Sequence, residues 1–197
     1  GLIEAVRDQL TATKRPSQKA FATGPTGVTR YEFEYQVKDL AELIASHDPY
    51  TFAVNPQFPQ ELQPRLRDRA APKLQVENIA ANLDPEALTT EFHALDRGAP
   101  IIGPDMVVES GNGRVMGMLR AAHEFPDVYR RYVAVLREKA KLFGLSKSDV
   151  GRKDNPVLIR VRLTKVADRL AFVEEANAST TIESSAIEKA RRDAEKI

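Results

Sequence analysis

The stretch 100–120 constrains this chain more than any other. It reads Pro-Ile-Ile-Gly-Pro-Asp-Met-Val-Val-Glu-Ser-Gly-Asn-Gly-Arg-Val-Met-Gly-Met-Leu-Arg. The pattern predicts strand, tight turn, strand, glycine-rich turn, helix. Glu109 ends the second strand. Gly111 and Gly113 then let the backbone turn tightly. Arg114 stands where a helix begins, and Pro126 breaks that helix after residue 124. Backbone N–H groups at a glycine-rich turn and a helix N-terminus favour anions, and an arginine adds a charge-assisted fork. These are the requirements of a phosphate site. The plain alternative is a tight turn whose Arg114 pairs with Glu109 at the surface.

The rest of the chain predicts an α+β domain, a small mixed sheet with several surrounding helices. Tyr31, Phe33, Tyr35 and Val37 alternate with polar residues, so 28–37 reads as a strand with one buried face. Val157, Ile159 and Val161 alternate likewise in a strand over 156–163. Helices are predicted over 39–46, 75–83, 127–143, 166–176 and 184–196, with a further one opened by the Asp84-Pro85-Glu86 cap. Residues 2–10 have helical spacing, 11–27 read as a linker or arm, and 145–155 read as a polar loop. The proline-rich segment 48–72 reads as a long irregular loop, the kind that is usually functional or mobile. It carries Arg65, Arg67 and Arg69, either a solvated face or a phosphate contact. The divisions expected are an arm over 1–27, a domain over 28–183 and a charged helix over 184–197.

Composition narrows the chemistry. The chain has no cysteine, which excludes disulfides, thiolate catalysis and zinc–thiolate sites. His47, His93 and His123 lie far apart without metal-ligand spacing. A formal charge of +1 does not support unselective duplex binding over the whole surface. No apolar run approaches the roughly 20 residues of a membrane span, and no signal peptide is visible. Cytoplasmic residence is the expectation, with no membrane partner. The chain opens with Gly rather than Met, which reads as a piece of a longer protein with further domains.

Several patterns, in this order, resemble the ParB/sulfiredoxin-like superfamily, and within it the DdrB-like branch of phage and mobile-element proteins. They are Val107-Val108-Glu109-Ser110-Gly111-Asn112-Gly113-Arg114, then Pro156-Val157-Leu158-Ile159-Arg160-Val161-Arg162, then Glu175-Ala176-Asn177. Upstream, Val37-Lys38-Asp39-Leu40 and Gln63-Pro64-Arg65 resemble the opening strand and following loop of ParB-type domains. The resemblance covers roughly 30–192. The partition-protein turn has a charged pair after its glycine, where this chain has Asn112-Gly113, so base preference does not carry over.

The resemblance implies a nucleoside triphosphate, CTP or ATP with magnesium. Ser110, Gly111, Asn112, Gly113 and Arg114 would cradle its phosphates, with Arg65 and Arg160 as electrostatic helpers. Glu109 would orient the turn, or act as a base or metal ligand. Glu175 and Asn177 would hold the magnesium end. Three functions fit these residues. The first is a nucleotide-binding domain of a DNA-associated protein, with slow hydrolysis or a conformational switch. The second is a metal-dependent nuclease or DNA-binding module. The third is an interaction domain that has lost its chemistry. Relatives often pair through terminal helices, which makes 184–197 the candidate for a homodimer contact.

Overall fold

A computed structural model describes residues 19–63 and 70–178. Five strands form one sheet: β1 (Lys19–Thr23), β2 (Arg30–Asp39), β3 (Ile101–Ile102), β4 (Val108–Ser110) and β5 (Pro156–Arg162). Their order across the sheet is β1-β2-β5-β3-β4. β2 pairs antiparallel with both β1 and β5, β3 runs parallel to β5, and β3 and β4 form an antiparallel pair. The helices are α1 (Ala70–Ala81), α2 (Pro85–Leu88), α3 (Asn112–Glu124), α4 (Pro126–Lys139), α5 (Lys147–Gly151) and α6 (169–178). This is the α+β class that the sequence predicts.

The alternation in β2 has its expected result, with Tyr31, Phe33, Tyr35 and Val37 all buried. β5 behaves differently. Val157, Leu158 and Ile159 are all buried, because β5 lies inside the sheet and both its faces are covered. The register sets Arg160 opposite Tyr35 and Arg162 opposite Phe33. Cross-strand partners share a face, so two arginines project to the side that carries the aromatic row. β3 covers only the far end of β5. The nearer backbone groups are completed by α4: the Tyr129 hydroxyl donates to the Pro156 carbonyl at 2.7 Å, and the Leu158 N–H donates to the Tyr132 hydroxyl at 2.9 Å. Two buried tyrosines thus finish an edge that the short strand leaves open.

Several local expectations change. Lys19–Thr23, within the expected arm, is the edge strand of the sheet, where Ala20 and Ala22 fit against Phe33 and Tyr31. The helix expected over 39–46 is one 3-10 turn, Leu40–Glu42, capped by the Asp39 side chain. After it, Ile44 bridges to Val107, so the chain is drawn into extended pairing. The loop expected over 145–155 contains α5, held by a capping box between Ser146 and Asp149. The expected helices over 2–10 and 184–196 lie outside the described residues, as do Arg65, Arg67 and Arg69.

α1 and α3 cross closely at Gly117. A Cβ there would overlap the Ile79 side chain, coming within 2.9 Å of its Cβ, which is fixed to the α1 backbone. Gly117→Val is therefore expected to force α1 away from α3 and lower stability by about 1–3 kcal/mol, the usual range for overpacking. Urea unfolding of the two proteins side by side checks this. Among the described residues no helix is long and apolar enough to cross a membrane.

Candidate functional site

The glycine turn joins β4 to α3. Gly111 has φ +96, in the left-handed region, and forms the N-cap of α3. The Val115 N–H donates to the Gly111 carbonyl at 2.9 Å, which starts the helical ladder. The N–H groups of residues 112–114 have no acceptor within the helix. Asn112 holds the turn from the other side: its Oδ1 accepts the Ser46 N–H at 2.8 Å. The turn is therefore pinned to the segment that follows the Leu40–Glu42 turn, 66 residues away.

Arg114 folds back under this turn. Its Nη1 donates to the Asp96 carbonyl. A Cβ on Gly111 would come within 2.7 Å of Nη2 and 3.0 Å of Nε, so the guanidinium packs flat against the glycine. Only glycine suits this position, through both its φ and that contact. Nε and Nη2 are buried and have no hydrogen-bond partner among the described residues. Burial, and then the nearby Arg160 charge, hold the Arg114 guanidinium down to about 10. It remains a cation at neutral pH. Buried charged donors without acceptors are costly, which marks the place where an anion would be stabilised.

A cavity of about 830 Å³ opens at this point. The turn residues 110–114 form part of its wall, together with Asp96 and Arg97 from the loop before β3. Phe52, Leu62, Val76, Ile79 and Met116 contribute apolar walls. Gln63 lines it too: its Nε2 donates to the Ser46 carbonyl at 3.1 Å, and its Oε1 is buried without a partner.

The other residues singled out in the sequence fall into distinct places. Glu109 is fully buried and carries two guanidinium groups. Arg162 donates to Oε1 at 2.8 Å and to Oε2 at 3.0 Å, and Arg169 donates to Oε2 at 2.8 Å. Arg169 also forks onto Asp105, both bonds at 2.7 Å, and this holds the Asp105 carboxyl below its ordinary range. Glu109 thus pairs with Arg162 and Arg169, and Arg114 instead reaches Asp96. The Glu109 carboxylate ties β4, β5 and α6 together. Ser110 is buried and its hydroxyl donates to the Leu95 carbonyl at 3.0 Å.

Asn177 reaches the cavity wall, where its Nδ2 donates to the Glu109 carbonyl at 3.1 Å and the Val173 carbonyl at 2.6 Å. Glu175 points elsewhere. It accepts the Tyr31 hydroxyl at 2.6 Å and packs against Gly24. Glu174, one residue earlier, is the α6 carboxylate on the cavity. Arg160 is buried away from the cavity. It donates to the carbonyls of Ala94 and Ala99, each at 2.8 Å, and of Arg97 at 2.6 Å. Burial pushes its guanidinium down to about 10. It organises the loop that carries Asp96 and Arg97 to the cavity wall.

Sequence reading missed Arg162, Arg169, Asp105 and the 94–99 loop. Arg162 had a signal, two residues beyond Arg160 on the same strand face. The loop had none, because three of its carbonyls are held by one side chain, Arg160, more than 60 residues distant, with Ser110 and Arg114 adding one bond each.

The sheet, the glycine turn and the α3 N-terminus define an α+β domain with a glycine-capped helix start at a cavity. The family model for the ddrB-like ParB superfamily domain matches residues 27–163. That span is most of the chain, and the chain belongs to this family. No curated protein and no solved structure matches it.

Proposed function

We propose that the cavity binds a nucleotide, a nucleoside triphosphate such as CTP or ATP, with its phosphates on the α3 N-terminus and Arg114. The observation that carries this is the buried Arg114 guanidinium with two unpartnered N–H groups at a left-handed glycine cap. Phosphate oxygens are the acceptors that such a fork and a helix start favour together. The apolar walls give the less polar part of the ligand somewhere to lie.

Of the two residues expected at the magnesium end, Asn177 lies on the cavity wall and Glu175 does not. Glu175 is held by Tyr31, outside the cavity, and both Glu109 oxygens carry guanidinium groups. Among the described residues, no group of three His, Asp or Glu converges as a metal site. With Glu109 engaged in this way, the reading is binding with a conformational consequence, ahead of base-catalysed turnover or a nuclease built on Glu109.

Calorimetric titration with CTP, ATP, GTP and UTP, each with and without magnesium, tests this. One nucleotide is expected to bind saturably. Arg114→Gln, checked for folding by circular dichroism, is expected to weaken it about 10–100-fold, the worth of one to two charge-assisted hydrogen bonds. Failure of every nucleotide to bind the folded protein, or equal binding by the variant, would sink the reading.

A further inference from the structure

We propose that the groove between α4, α5 and the start of β5 docks an acidic, aliphatic segment of a partner protein. This does not depend on the nucleotide reading, because the groove adjoins the other end of α3, at Ala122. The first observation is a local charge excess. Residues 127–153 hold eight Lys and Arg against three Asp and Glu, in a chain whose net charge is +1. The second is a cleft of about 750 Å³ that collects four of these cations. Arg130 and Arg137 line it from α4, seven residues apart and so about 10 Å apart along one helix face. Lys147 and Lys153 line it from α5 and the loop beyond.

These cations are poorly neutralised. Among the described residues, Arg137 and Lys147 form no ion pair. Arg130 meets Asp127 at 3.5 Å with both side chains largely in solvent, a contact that contributes little. Lys153 reaches Glu42 at 3.4 Å. Asp154 is the single carboxylate on the groove wall.

The apolar surface decides the class of partner. Ala122, Val133 and Ala134 bring aliphatic surface to the groove, over a floor that includes the buried Val150. Tyr129 is its one aromatic residue, and that ring is buried with its hydroxyl given to Pro156. Single-stranded nucleic acid is held by exposed aromatic faces beside the cations, which this groove lacks. An aliphatic strip between basic rims matches the complementary pattern on a peptide: apolar anchors at helical spacing with carboxylates on either side.

The test uses the whole chain and fluorescence anisotropy. The probe is a labelled peptide of about 15 residues, with Leu at i, i+3, i+4 and i+7 and Glu elsewhere. The comparison ligands are oligoglutamate of equal length and a single-stranded oligonucleotide of about 20 nucleotides. The leucine-bearing probe is expected to bind saturably, at least about tenfold tighter than oligoglutamate. The double variant Arg137→Glu with Lys147→Glu should weaken it by about tenfold or more, and Ala134→Gln, which adds bulk without charge, should also weaken it. All these changes are on exposed positions, so thermal midpoints should match the parent. Absence of saturable probe binding, or binding unchanged by the double variant, overturns the proposal. Equal affinity for oligoglutamate overturns it as well. Tighter binding of the oligonucleotide, lost in the double variant, would assign the groove to a phosphate backbone instead.

Discussion

Glu109→Gln is expected to lower the unfolding free energy by about 3–5 kcal/mol, the range found when one partner of a buried ion pair is removed. The carboxylate is completely buried and balances Arg162 and, in part, Arg169. The amide keeps the shape but supplies one acceptor where there were two, and turns an N–H₂ toward a guanidinium. Arg162 is then left nearly buried without its counter-charge. Total stabilities of about 5–15 kcal/mol make such a loss visible as a large fall in denaturation midpoint. Chemical denaturation measures it. The double variant Glu109→Gln with Arg162→Leu should recover a substantial part of the loss, since the unpaired cation is gone and Arg169 keeps Asp105. If the double variant were less stable than Glu109→Gln alone, charge balance would not be the cause. A catalytic carboxylate, by contrast, would lose activity on this substitution at little cost in stability.

Arg160→Met is expected to cost a similar amount, about 3–5 kcal/mol, from two or three charge-assisted hydrogen bonds of roughly 1.5–3 kcal/mol each, less relaxation. Its guanidinium is the hub on which the carbonyls of Ala94, Arg97 and Ala99 converge. Methionine fills the space beside Phe33 but offers those carbonyls nothing. The 94–99 loop should loosen first. Hydrogen exchange should rise there more than in β2 or α4, and the nucleotide binding proposed above should weaken with it, because Asp96 and Arg97 form part of the cavity wall. Uniform acceleration across the sheet would point to global destabilisation alone.

These two arginines show where the sequence was legible. Arg160 and Arg162 were visible as the polar residues of a strand, and the phosphate-helper role for Arg160 followed from resemblance. The β2–β5 register, which no local pattern states, turned both side chains toward the aromatic face. Once buried, each had to find acceptors in the protein. Arg160 found loop carbonyls and Arg162 found Glu109. At α6 the helix itself was legible, but its rotation was not. One step along that helix separates Glu174 on the cavity from Glu175 on Tyr31.

The glycine turn is the opposite case. Gly111 is glycine because its backbone has φ +96 and because Arg114 lies against it. Turn chemistry of that kind is local, so strand, turn and helix start could be read from adjacent residues. The strand patterns of β2 and the α+β class were legible for the same reason: periodicity of burial is written along the chain. By itself, then, the sequence determined the β2 and β5 strands, the strand, glycine turn and helix around residue 111, and the family. Tertiary structure alone decided which charges face the cavity, which are locked in ion pairs, and that Lys19–Thr23 completes the sheet. Those outcomes depend on long-range register and on burial, and a buried charge takes whatever partner the fold brings within hydrogen-bond reach.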